Sequence, residues 1–231
     1  MLRGVLFDFN GVLVDDEPLH FRLFRRVLAE EGVELDEATY YERYLGMDDR
    51  GALDAALSDA GRSADPMGLA RLVARKAAFY QREIRREGYP FFGGALELVR
   101  DVAAAGWTLG VVSGALRDEV EGALLQGGVA ELFKTLVTAE DVERGKPDPE
   151  GYRVALRALN AEPPLPARLV HPHEVLAIED SAAGLAAATG SGLRTLGVAQ
   201  SRAREVLTAA EAVVDRVAEL SAARLAELFG D

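Results

Sequence analysis

Apolar and β-branched residues gather in five short runs, at 5–7, 109–112, 136–138, 175–178 and 195–198, with a sixth candidate at 212–214. Runs this short, bounded by turn formers, predict buried strands. Between them the apolar residues recur at helical spacing. Leu96, Val99, Val102 and Ala103 form one stripe, Val120, Leu124 and Leu125 a second, and Tyr152, Ala155, Leu156 and Leu159 a third. Strands alternating with amphipathic helices predict an α/β protein, a doubly wound parallel sheet covered on both faces. In such sheets ligands collect beyond the carboxyl ends of the strands, which is where chemistry is to be sought.

One segment breaks the alternation. From about Pro18 to Gly88 only helical periods occur, as in LFRRVLAEEGV and LARLVARKAAFYQREIRREG. This predicts an all-helical subdomain, residues 16–88, inserted into a core made of residues 1–15 and 89–231. The junctions near 15–18 and 88–94 (GYPFFGG) are rich in turn formers and suited to act as hinges. Arg82, Arg85 and Arg86 alternate with Glu83 and Glu87 and read as a solvated helix face.

Composition narrows the function. The chain has 231 residues, 49% of them hydrophobic, which suits one core with a smaller insertion. A formal charge of −12 argues against nucleic acid or an anionic membrane as partner. An anionic substrate would need a local positive site. No cysteine is present, so there is no disulfide, thiolate nucleophile or zinc-thiolate site, which suits a reducing compartment. The N-terminus leads directly into a strand, without the apolar stretch of a signal peptide, and the cytoplasm is the expected location. The uncharged run 102–116 is broken by Gly106, Gly110 and Gly114 and falls short of the roughly 20 apolar residues of a membrane helix.

Four features stand at or just past strand ends. Asp8 follows the first strand, as a nucleophile or as a turn residue, with Gly11 allowing a sharp bend. Ser113 and Gly114 follow the second, where a hydroxyl and a backbone N–H can hold a phosphate oxygen or cap a helix. Lys146, in GKPDP, is presented by a loop stiffened by two prolines. Glu179 and Asp180 follow the fourth strand, in place to bind Mg²⁺ or to cap the helix SAAGLAAA.

Taken together as DFNGVLVD, VVSGA, GKPDP and IEDSAAG, these motifs resemble the haloacid dehalogenase superfamily. The likeness covers essentially the whole chain and is greatest to the phosphatase and β-phosphoglucomutase branch with a helical cap. The resemblance implies a Rossmann-like sheet in the order 3-2-1-4-5. It implies Asp8 as nucleophile, Ser113, Gly114 and Lys146 as phosphate binders, and Asp8, the Asn10 carbonyl, Glu179 and Asp180 as the Mg²⁺ site. The activity implied is that of an Mg²⁺-dependent phosphatase acting on a small phosphorylated metabolite through an aspartyl phosphate. A phosphosugar mutase and a phospho-metabolite binding protein with little turnover are the alternatives. L-2-haloacid dehalogenases share the fold without a metal, and the pair Glu179 and Asp180 with Lys146 disfavours their chemistry. Oligomeric state is not fixed by the sequence, with a monomer favoured.

The chain departs from the family at Asn10, where the pattern carries Asp. An amide keeps the backbone carbonyl but cannot shuttle a proton, a function worth about 10²–10⁴-fold. His20, in EPLHFRLF, matches a position that faces the active site in β-phosphoglucomutase and titrates near neutrality. Arg50 resembles the cap arginine of that enzyme displaced by one place, with Asp49 at the matching position, which disfavours a hexose phosphate mutase. His171 and His173 lie before the fourth strand, at the wrong end of the sheet for this site, and Trp107 reads as packing.

Overall fold

The computed structural model describes residues 1–45 and 47–230; Gly46 and Asp231 lie outside the described residues. The chain divides into two compact units, one formed by Met1–Asp15 with Pro90–Asp231 and the other by Asp16–Tyr89.

The first unit holds a six-stranded sheet made of β1 Gly4–Phe7, β2 Thr108–Val112, β3 Phe133–Val137, β4 Val175–Glu179, β5 Arg194–Val198 and β6 Ala212–Val214. All neighbours are parallel, in the order β3-β2-β1-β4-β5-β6. The sheet is thus Rossmann-like and doubly wound, and the sixth candidate run adds an edge strand. β1 and β4, at the centre, are buried at every position. That explains why they read as unbroken apolar runs without polar alternation. Helices α5 Ala95–Ala104, α6 Arg117–Gln126, α7 Glu150–Ala161, α8 Ala182–Gly190 and α9 Ala222–Phe229 belong to the same unit.

Two sequence readings need correction. The third strand was expected at 136–138 but runs from Phe133 to Val137. Thr138 ends it, because its N–H and hydroxyl both donate to the Asp141 carboxylate, 2.8 Å away in each case, and turn the chain. Two of the three helical stripes are also rotated, while that of α7 buries Tyr152, Ala155 and Leu159 as expected. α5 buries Ala95, Leu98, Val99 and Val102, and α6 buries Val120, Ala123 and Leu124 while Leu125 is exposed. Adjacent apolar residues, Ala95 and Leu96 in α5 and Leu124 and Leu125 in α6, fall on neighbouring faces, so periodicity alone selects between them poorly.

The second unit contains α1 Glu17–Glu30, α2 Glu37–Thr39, α3 Asp49–Asp59 and α4 Pro66–Glu87, with a π-helical turn at Tyr40–Tyr44 directly after α2. Among the described residues it has no strand. Asp36, Asp48 and Asp65 each accept a hydrogen bond from the backbone N–H three residues on, which satisfies an orphan donor at the starts of α2, α3 and α4. Phe21, Phe24, Leu28, Leu53, Leu57 and Leu72 share its apolar core. Among the described residues no helix of the protein is long and apolar enough to cross a membrane.

Candidate active site

The carboxyl ends of β1, β2 and β4 adjoin in the sheet, and the residue just past each strand, or ending it, carries a polar group. Asp8 follows β1 and its N–H donates to the carbonyl of Ile178 at 2.9 Å. Its Oδ1 accepts from the Phe9 N–H at 2.8 Å and lies 2.9 Å from Lys146 Nζ. Lys146 also reaches the Val112 carbonyl at 2.9 Å and Glu179 Oε1 at 2.6 Å, so three acceptors share its three protons. Burial lowers the tendency of this ammonium to stay charged, but Asp8 and Glu179 outweigh burial and raise its pKa.

Glu179 ends β4 and is fully buried; the Tyr152 hydroxyl of α7 donates to its Oε1 at 2.5 Å. The first turn of α8 packs against the same side chain so tightly that a Cβ on Gly184 would lie 1.9 Å from Glu179 Oε2. Asp180 follows, accepting from Ser201 Oγ at 2.6 Å and Arg202 Nε at 3.2 Å, both on Oδ2. Gly11 lies against that carboxylate. Its φ is +78° and a Cβ would fall 2.0 Å from Asp180 Oδ2, so both the bend and the approach require glycine. Asn10 is half-buried in this loop and bridges to Val14. Ser113, after β2, is buried, and its hydroxyl accepts from the Ala115 N–H at 3.0 Å, while Gly114 is exposed beside it.

Asp8, Glu179 and Asp180 each offer an oxygen within 4.8 Å of the others. At this separation ionised carboxylates repel one another. Burial and the Asp8 charge push both Glu179 and Asp180 above the ordinary carboxylate range. Clustered hard oxygen donors carrying surplus negative charge fit Mg²⁺, which would relieve that repulsion.

The haloacid dehalogenase-like hydrolase model matches residues 2–192. This chain belongs to that family. A Streptomyces hygroscopicus subsp. limoneus relative, validoxylamine A 7'-phosphate phosphatase, is 32% identical over 221 residues, covering 95% of this chain and 96% of the relative. CbbY from Rhodobacter sphaeroides, solved in complex with phosphate, is 27% identical with a TM-score of 0.82, over 95% of this chain and 96% of CbbY. An Asp-to-Asn variant of CbbY, solved in complex with xylulose-(1,5)bisphosphate, matches with the same figures. This haloacid dehalogenase-like chain therefore shares the fold of its branch as well as its motifs.

The helical unit has a charged cluster of its own. Lys76 is buried in the middle of α4, paired with Asp49, with its ammonium 2.7 Å from His20 Nδ1. The far ring nitrogen, Nε2, lies 3.3 Å from Asp16 Oδ2, which also accepts from the Tyr80 hydroxyl at 2.6 Å. His20 is therefore engaged at both nitrogens. Arg50 is exposed at the start of α3, and it is Asp49 beside it that joins the cluster. His171 and His173 lie before β4, with their rings stacked 5.6 Å apart.

Sequence reasoning missed Lys76, Tyr152, Ser201 and Arg202. For Lys76 a signal existed. It interrupts the buried series Leu69, Leu72, Tyr80 and Ile84 at a core position of the helical period, and a lysine there needs a partner.

Proposed function

We propose that this haloacid dehalogenase-like hydrolase is an Mg²⁺-dependent phosphatase acting on a small phosphorylated metabolite through an aspartyl phosphate on Asp8. The observation that carries this reading is the convergence of Asp8, Glu179 and Asp180 with Lys146 at adjacent strand ends. Relatives named for phosphatase activity and for a sugar bisphosphate complex support the substrate class.

Two donors hold Asp8 Oδ1, which leaves Oδ2 as the attacking oxygen. Attack forms the Oδ2–P bond and breaks the ester P–O bond, the leaving oxygen taking a proton from solvent; a water then attacks phosphorus, gives up a proton to solvent or to the phosphate formed, and releases the carboxylate and inorganic phosphate. Ser113, the Gly114 N–H and Lys146 orient the phosphoryl oxygens and offset their charge. Asp8, the Asn10 carbonyl, Glu179 and Asp180 would hold Mg²⁺, which when bound supplies electrostatic stabilisation of the transferring group. Residues 16–88 act as a cap that selects the substrate, with exposed Arg50 as a polar contributor; His20 has both ring nitrogens taken by Lys76 and Asp16 and acts there by holding the cap in shape.

Asn10 cannot protonate the leaving oxygen, so turnover depends on how good the leaving group is. Replacing Asn10→Asp should raise the rate on alkyl phosphates by about 10²–10⁴-fold and the rate on p-nitrophenyl phosphate far less. Steady-state phosphate release with Mg²⁺, for both proteins on both substrates, measures this. Should neither protein release phosphate from any ester while both bind it, the chain is a phospho-metabolite binding protein, and the phosphatase reading fails.

A further inference from the structure

The turn after β5, Gln200-Ser201-Arg202, belongs to none of the four motifs, yet each of its side chains reaches the acidic cluster or the loop behind the nucleophile. The Gln200 side-chain amide donates to the carbonyls of Gly11 at 3.0 Å and Val12 at 3.1 Å, and its Oε1 accepts from the Val217 N–H at 3.0 Å. Three bonds of this kind fix one side chain between two loops. Ser201 and Arg202 converge on the same oxygen of Asp180. Two donors on Oδ2 set the rotation of the carboxylate.

We propose that this turn positions the cation site from two sides and tempers its affinity. Gln200 holds the loop that carries Asn10 and Gly11, Ser201 orients Asp180, and Arg202 adds a permanent positive charge beside the cation. This rests on the reading of the acidic cluster as an Mg²⁺ site. A neutral donor would orient Asp180 as well as a guanidinium does. The consequence specific to Arg202 is electrostatic. Its side chain is 22% exposed and that of Asp180 7%, so the charge is only partly screened and would oppose a divalent ion held by that carboxylate. The cluster then binds Mg²⁺ in an exchangeable way instead of trapping it.

Mg²⁺ titration calorimetry on the full chain without substrate tests this, with the thermal unfolding midpoint of each metal-free variant as a control for folding. Arg202→Gln should bind Mg²⁺ about 3–10-fold more tightly, and the gain should shrink in high salt. Arg202→Lys, which keeps the charge, should stay within about twofold of the unchanged chain. Ser201→Ala and Gln200→Ala should bind about tenfold more weakly, the usual scale for losing a group that orients a ligand. A purely structural role would move the unfolding midpoints without giving metal affinity these opposite signs. Unchanged or weaker binding by Arg202→Gln overturns the proposal, as does unchanged binding by both Ser201→Ala and Gln200→Ala. If the unchanged chain and Asp180→Ala both fail to bind Mg²⁺, the metal reading falls and this inference with it. If the unchanged chain binds Mg²⁺, Asp180→Ala does not, and the turn variants bind like the unchanged chain, this inference alone is wrong.

Discussion

In the sheet-bearing unit three buried carboxylates, Asp8, Glu179 and Asp180, are met by the two cations Lys146 and Arg202. In the helical unit Lys76 is matched by Asp49, and His20 lies between Lys76 and Asp16. Both units bury ionisable groups at a cost in desolvation. The helical cluster answers that cost internally, one charge against another. The sheet cluster keeps a surplus of negative charge and raises the pKa of two of its own acids. A self-compensated cluster holds a structure, whereas an uncompensated one is complete only when a ligand of opposite charge arrives. Stability should therefore respond in opposite ways to removal of an acid in the two places.

The largest effects are expected in the sheet cluster. Asp8→Asn should lower phosphate release by about 10⁴-fold or more while the metal-free unfolding midpoint holds or rises, because one of three repelling carboxylates is gone. Lys146→Met removes the group shared by Asp8 and Glu179 and should cost about 3–5 kcal/mol of stability at neutral pH. Denaturant unfolding of both variants without metal measures the pair. A fall in midpoint for Asp8→Asn as large as that for Lys146→Met would mean that this cluster, too, is internally balanced.

A smaller effect, of the other sign for the acid, is expected in the helical unit. Asp49→Ala leaves the Lys76 ammonium, only 1% exposed, without its carboxylate and should cost about 2–4 kcal/mol. Lys76→Met leaves Asp49, 30% exposed and partly solvated, and should cost less, about 1–2 kcal/mol. Chemical denaturation of the two variants gives the ordering directly, and the reverse order would show that packing of the lysine stem outweighs its charge.

What the sequence made legible follows from where each group sits. Asp8, Ser113, Lys146 and the pair Glu179-Asp180 stand at strand ends or in a proline-stiffened loop, where a polar residue interrupts an apolar run and attracts notice. Lys76 and Tyr152 lie inside helical stripes, where the period alone assigns burial and says nothing of a buried ammonium or hydroxyl. Ser201 and Arg202 lie in a turn of ordinary composition, and only the parallel pairing of β4 with β5 brings them to Asp180. The strands were legible in kind but not to the residue. β3 starts three residues before its expected position, because Phe133 and Lys134 are half-buried at the sheet edge and lack the apolar signature of the centre.

The smallest expected effect asks whether compensation, and not the unit a cluster belongs to, decides the outcome. Glu174 lies in the sheet-bearing unit at the opposite end of β4 from Asp180. Its two oxygens take Arg168 at 2.6 Å and 3.1 Å and the His171 N–H at 2.9 Å. Hydrogen bonding from Arg168 first, and from His171 second, pulls its pKa from 4.5 down to about 2. A carboxyl depressed by folding adds stability above its unfolded pKa, and that stability drains away as pH falls through the folded one. The unchanged chain should therefore be more stable than Glu174→Gln at pH 7, and the gap should close between about pH 4.5 and pH 2. Urea midpoints of the two proteins across that range read the gap. A gap that stays constant with pH would show that Glu174 contributes shape and not charge. A Glu174→Gln protein more stable at pH 7 would place this pair with the uncompensated acids at the other end of the same strand.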